Sequence, residues 1–281
     1  MLNKIDRIML CALVGVVALS SWLQLEPPGV VLTEAEPVAS VENVVVATPD
    51  FTDIVDVKTR KKNFFNFMMP LVEQENERIQ SLRNRVRLLS SETELSESDQ
   101  QWLVDLAGQY RVKLASRGES AFDHAFFEAL LVRVDIIPVS LALAQSAIES
   151  AWGTSRFAQL GNNFFGQWCF SSGCGIVPAA RPEGKTYEVQ KFGDVSESVR
   201  AYIHNLNTHF QYEVLRQLRE SRREMNKPVI GPALAYGLDG YSARGLEYVQ
   251  ELLSMMKSND LVRYDLDEAD RLADDGDSGG I

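Results

Sequence analysis

One carboxylate stands alone in a helix that otherwise carries none. Between Pro138 and Gly153 the only charged residue is Glu149, and the only other polar side chains are Ser140, Gln145, Ser146 and Ser150. A helix apolar nearly all round is a buried helix. A carboxyl placed there is costly to ionise, so its pKa rises toward the range a general acid needs near neutral pH. Gln145 lies four residues earlier on the same face, where it could orient Glu149 or touch substrate. The competing reading is a glutamate at a helix end that reaches solvent or pairs with Arg156, and composition alone weighs the two evenly.

Cys169 and Cys174 are separated by four residues in Trp168-Cys-Phe-Ser-Ser-Gly-Cys-Gly. In an oxidising compartment they would close a small loop as a disulfide. A zinc site with His204 and His209 is disfavoured, because residues five apart on a helix point about 140° away from each other. No metal or cofactor is expected.

These groups need elements to hold them, and the chain of 281 residues, 45% hydrophobic and 24% charged, has room for one large core or two modest ones. The net charge of −11 belongs to the flanks: residues 26–57 and 265–281 are acidic, while the stretch between is near neutral. A body without a concentrated positive face argues against nucleic acid as partner. Lys4 and Arg7 precede an apolar run, Ile8 to Leu19, so residues 1–25 read as an export signal. Cleavage after Ala18-Leu19-Ser20 and retention as a membrane anchor over residues 8–25 are both open. Either outcome puts the protein in the periplasm or cell envelope, anchored in the inner membrane in the second case. Residues 26–57, with four prolines among acidic residues, read as a linker, and 265–281 as a solvated acidic tail.

The pattern of apolar residues then predicts mostly helices. Phe64 to Val72 and the stripe Ile79, Leu82, Val86 and Leu89 fit two helices divided at Pro70. A third follows a cap near Ser96, with Trp102, Leu103, Leu106 and Tyr110 as its apolar face. These make a helical region over 58–117 whose aromatics suit packing rather than ligand contact. Another helix spans Phe122 to Val134, and Pro138 and Gly153 suit the start and end of the helix that bears Glu149.

At this point the residues carry a resemblance. Ala144-Gln-Ser-Ala-Ile-Glu-Ser-Ala-Trp-Gly, followed by Gly161-Asn-Asn-Phe-Phe-Gly-Gln-Trp, resembles the glucosaminidase domain of bacterial autolysins and flagellar peptidoglycan hydrolases. Gly240-Tyr-Ser-Ala-Arg-Gly-Leu-Glu-Tyr-Val is similar to the Gly-Tyr segment of that family, and the resemblance covers about 118–264. Lys61-Lys-Asn-Phe-Phe-Asn-Phe-Met-Met-Pro further resembles Bax-like envelope proteins, in which a helical region precedes the domain. The resemblance implies a mainly α, lysozyme-like domain with a small β-hairpin lobe, acting on peptidoglycan glycan strands. It implies Glu149 as general acid and a second carboxylate on the β lobe. Residues 176–192 fit a hairpin with Pro182-Glu-Gly as turn and Lys185 to Phe192 as strand. Glu183 and Glu188 are its two candidates, and Glu188 is favoured because a strand holds a side chain better than a turn tip. The resemblance also places Tyr241 at the reacting sugar and Phe165, Gln167 and Trp168 along the sugar cleft, with Phe164 in the core.

The function expected is cleavage of β-1,4 bonds after N-acetylglucosamine in peptidoglycan. The rivals are a lytic transglycosylase or muramidase, and a non-catalytic module that binds glycan.

Overall fold

The computed structural model describes residues 48–114, 121–179 and 181–266. The expected export signal lies outside them. Along the described chain run helices α1 (Val57–Ser90), α2 (Glu97–Gln109), α3 (His124–Arg133), α4 (Val139–Glu149) and α5 (Arg156–Gly161). Strands β1 (Trp168–Cys169), β2 (Gly175–Ile176) and β3 (Glu188–Gln190) follow, then α6 (Val195–Thr208), α7 (Glu213–Glu224), α8 (Gly231–Leu234) and α9 (Leu246–Ser258). The fold is mainly α and lysozyme-like, with a small antiparallel β lobe. None of the described helices is long and apolar enough to cross a membrane.

The expected break at Pro70 does not occur, and α1 is a single helix of 34 residues. An interior proline costs about 3 kcal/mol. Against this, Phe64, Phe65, Met68 and Val72 before or beside it and Ile79, Val86 and Leu89 beyond it are all buried, each contributing about 1.5–3 kcal/mol. Pro70 and Asn66 are exposed, so the carbonyl left without its amide partner meets water. Packing against α3, α4 and α6 therefore overrides the local signal.

The two flanks also contribute more than expected. Phe51, within the stretch read as linker, is fully buried and packs edge-on against Phe64 at 5.5 Å. Asp56 caps α1 by accepting from the Thr59 amide at 2.8 Å. Asp265, read as the first residue of a solvated tail, is buried. Pro138 offers α4 no side-chain cap, and Asp265 supplies one from a distance. It accepts from the Ser140 amide (2.8 Å), the Ser140 hydroxyl (2.6 Å) and the Gly231 amide (2.9 Å).

The segment that leads into α4 has its carbonyls satisfied by side chains of other helices. Arg219 of α7 donates to the carbonyls of Val132 (2.9 Å) and Ile136 (2.8 Å), and Arg83 of α1 to that of Val134 (2.9 Å). Asn76 of α1 pairs both ways with the Ile137 backbone, at 2.8 and 3.1 Å. Asp135 lies among Arg223 (2.5 Å), Arg83 (3.4 Å) and Arg219 (3.6 Å). Burial alone would raise its carboxyl, but the three guanidiniums outweigh it and hold the group well below the ordinary value.

The sheet order is β1-β3-β2, with Trp168 opposite Val189 and Gly175 opposite Gln190. The hairpin strand is thus shorter than expected and gains a second partner in β1. The Pro182–Lys185 turn is present, closed by the Lys185 amide on the Pro182 carbonyl at 3.3 Å. Cys169 and Cys174 are joined as a disulfide across the β1–β2 loop.

Candidate active site

Helix α4 stops at Glu149 because the next four residues turn the chain back. The Ser150 hydroxyl donates to the Ser146 carbonyl (2.6 Å) and accepts from the Gly153 amide (2.8 Å). Ala151, Trp152 and Gly153 follow with φ of 50°, 60° and 75°, a left-handed run that cannot continue a helix. A side chain at Gly153 would overlap the Phe51 ring. Trp152 packs edge-on against Phe64 and Phe65, at 5.7 and 5.3 Å. The N-terminal residues thus wedge this turn, and Glu149 is left half-buried at the helix end.

Glu149 opens into a groove of about 460 Å³ between the helical body and the β lobe. The loop Phe165-Gly166-Gln167, the exposed Trp168 and Phe170, Asn205 of α6 and Tyr241 are among its lining residues. Asn163 shapes that loop. Its amide nitrogen donates to the carbonyls of Gln167 and Gln190, both at 2.9 Å, and its oxygen accepts from the Gln167 amide at 3.1 Å. Gly166, at φ +65°, leaves room for the carboxyl: a Cβ there would lie 3.3 Å from Oε2 of Glu149.

Behind the carboxyl runs a directed chain of hydrogen bonds. Tyr202 donates to Gln145 Oε1 (2.6 Å), Gln145 Nε2 donates to the Tyr248 hydroxyl (3.0 Å), and Tyr248 donates to Glu149 Oε1 (2.8 Å). Burial pushes the Glu149 carboxyl above its ordinary value, while the Tyr248 hydrogen bond and the Arg244 charge pull it part of the way back. Burial and the Glu149 charge push the Tyr248 phenol far up, so it stays a donor. A carboxyl whose pKa burial raises, beside an aromatic-edged groove, suits acid catalysis on a sugar bond.

The sequence profile of the glucosaminidase family, described as mannosyl-glycoprotein endo-beta-N-acetylglucosaminidase, matches residues 124–261. The chain is 34% identical over 211 residues to Protein bax of Escherichia coli (strain K12), covering 75% of this chain and 74% of that protein. The chain belongs to the glucosaminidase family. In general class this makes it a glycoside hydrolase. No solved structure is matched by the chain.

Within this member of the glucosaminidase family the structure separates the residues singled out from sequence. Glu149, Phe165, Gln167, Trp168 and Tyr241 all border the groove. Gln145 does not: it is fully buried behind Glu149, with both ends of its amide engaged by Tyr202 and Tyr248. Glu188 is also turned away. Its carboxylate accepts from the amides of Gly173 (3.0 Å) and Gly175 (2.8 Å), with Arg181 at 3.9 Å. Those amides hold it below the ordinary value. The strand does fix the side chain, as expected, but toward the disulfide loop. Glu183 is an exposed turn residue outside the groove lining. Among the described groove residues Glu149 is the one carboxylate.

Tyr241 spends its hydroxyl proton on the Phe165 carbonyl at 2.8 Å and stacks on Tyr248 with ring centres 5.6 Å apart. Phe165 is itself buried, stacked on Tyr202 at 3.9 Å, and carries the loop more than it offers a sugar platform. The two sulfurs beside Glu188 form a possible metal-ligand group by distance. They are bonded to each other and the carboxylate is taken by amides, so the donor set does not suit an ion. Sequence reasoning missed Tyr248, Tyr202 and Asn163. The buried face of α9 and the aromatic in Gly-Leu-Glu-Tyr-Val were the available signals for Tyr248.

Proposed function

We propose that the protein cleaves the β-1,4 bond after N-acetylglucosamine in peptidoglycan, with Glu149 as the general acid. The observation that carries this reading is the position of Glu149: half-buried at a helix end, held by Tyr248 through Oε1, with Oε2 facing Gly166. The proton for the leaving oxygen resides on Oε2, because Oε1 already accepts from the Tyr248 hydroxyl. Gln167 Oε1 is shielded from solvent and has no hydrogen-bond partner among the described residues. A buried acceptor left unpaired costs about 1–3 kcal/mol, and a sugar hydroxyl or acetamido N–H would relieve it. Tyr241, its proton already donated, accepts from substrate rather than donating. With Glu183 and Glu188 outside the groove, the tasks of a second carboxylate fall to the groove's other polar groups and to the acetamido oxygen of the substrate.

Digestion of purified sacculi by the full chain, followed by mass analysis of the fragments, tests the reading. Reducing N-acetylglucosamine ends are expected, and Glu149→Gln should lose about 10²–10⁴-fold in rate. Anhydromuramic ends would replace this reading by a lytic transglycosylase. Unchanged activity in Glu149→Gln would remove Glu149 as the acid. No activity in either protein would leave a glycan-binding module.

A further inference from the structure

The groove does not end at the β lobe. Gln190 and Ala201 line both the compartment at Glu149 and a second one of about 530 Å³. The second compartment is bordered by Arg78 of α1, Tyr110 at the end of α2, and Arg200 and His204 of α6. Arg78 precedes the residues matched by the family profile, so the N-terminal helical region builds this part of the wall.

Its chemistry is set by a buried carboxylate. Glu75 is only 5% exposed. It accepts from Arg78 Nη2 at 2.6 Å and Nε at 2.9 Å, and from Arg200 Nε at 3.4 Å. Two guanidiniums are thereby fixed side by side on one acid, with both side chains about half exposed. The acid among the lining residues, Glu197, accepts from the Gly193 amide at 2.8 Å, a bond that orients its carboxylate without neutralising it. Burial, with the nearby charges of Arg111 and Arg78, holds His204 below its ordinary value. Two guanidiniums against one carboxylate leave the Glu75 cluster itself one positive charge, balanced in the wall as a whole by Glu197, and the outer N–H groups of Arg200 have no partner among the described residues. A preorganised arginine fork is suited to a carboxylate.

We infer that this second compartment binds a carboxylate carried by the glycan strand next to the cleavage site, held by Arg200 and Arg78 on the Glu75 pillar. The inference rests on reading the groove as a peptidoglycan site. It makes the N-terminal helical region a part of the substrate groove, one that distinguishes acid-bearing strands from neutral ones.

The test uses the full chain carrying Glu149→Gln, so that binding is measured without turnover. Three probes are titrated: neutral N-acetylglucosamine oligomers, peptide-free peptidoglycan glycan bearing lactyl carboxylates, and peptide-bearing glycan. An acid-bearing probe should bind about tenfold more tightly than the neutral one, with the preference weakening at high salt. Adding Arg200→Gln should remove most of that preference while affinity for the neutral oligomer stays. Loss with the peptide-free probe places the lactyl carboxylate here, and loss only with the peptide-bearing probe places a peptide carboxylate here. Equal binding of all probes, absence of binding, or an equal effect of Arg200→Gln on acid-bearing and neutral probes overturns the inference. If Arg200→Gln unfolds the chain, the combined Glu75→Gln, Arg78→Gln and Arg200→Gln variant leaves no buried unpaired charge and takes its place. Hydrolysis of neutral oligomers by the parent chain reports separately on the proposed reaction.

Discussion

The Tyr248 hydroxyl, on the first turn of α9, reaches 2.8 Å to Oε1 of Glu149, on the last residue of α4. It is the polar contact that sets which carboxyl oxygen faces the groove. It also opposes the burial that raises the carboxyl's pKa, as the Arg244 charge does more weakly.

Tyr248→Phe removes the hydrogen bond that most favours the carboxylate. The Glu149 pKa should rise further, and a general acid works only while protonated. The alkaline limb of kcat/KM should therefore move to higher pH, with the rate at the optimum about tenfold lower from lost orientation. A pH profile of glycan cleavage checks this, and a limb that stays or moves to lower pH would exclude the tuning role.

Glu188→Gln separates structure from catalysis on the β lobe. A glutamine offers one acceptor oxygen to the Gly173 and Gly175 amides where glutamate offers two. The loop should loosen while cleavage stays within about tenfold of the parent, in contrast to Glu149→Gln. A loss as deep as that of Glu149→Gln would restore Glu188 as a catalytic carboxylate.

Asp265 should make stability depend on pH. Burial raises its carboxyl from 3.8 to about 6, against the pull of the Ser140 and Gly231 hydrogen bonds. A group whose native pKa is raised stabilises the fold below its unfolded pKa, and that contribution is lost as pH rises through the native value. The side chain should contribute roughly 2 kcal/mol less at pH 7 than at pH 4. Asp265→Asn does not titrate, so the stability difference between parent and variant should change by that amount across the window. Urea unfolding at the two pH values measures it, and a constant difference counts against the assignment.

Asp135→Ala leaves Arg83 and Arg219 buried without their counter-charge. Breaking a buried pair on one side costs about 3–5 kcal/mol, and here it also loosens the segment that starts α4. Urea midpoints of the two proteins give the value, and a cost under about 1 kcal/mol would show that the backbone carbonyls alone hold the arginines.

The sequence by itself determined that the chain is mainly helical, that one helix is apolar enough to be buried, and that Glu149 is its single acid at its end. Those conclusions rest on periodicity, caps and turns, which act over a few residues and are written locally. The tertiary structure alone decided the continuity of α1 through Pro70, where burial of a long apolar stripe outweighs a local cost. It decided that Glu188 faces amides and Gln145 faces tyrosines, because the side of a strand or helix that meets the groove depends on what packs behind it. It also joined Glu149 to Tyr248 across 99 residues and Ser140 to Asp265 across 125. No local rule carries contacts at such separations; they form only when the packed core brings distant helix ends to one place.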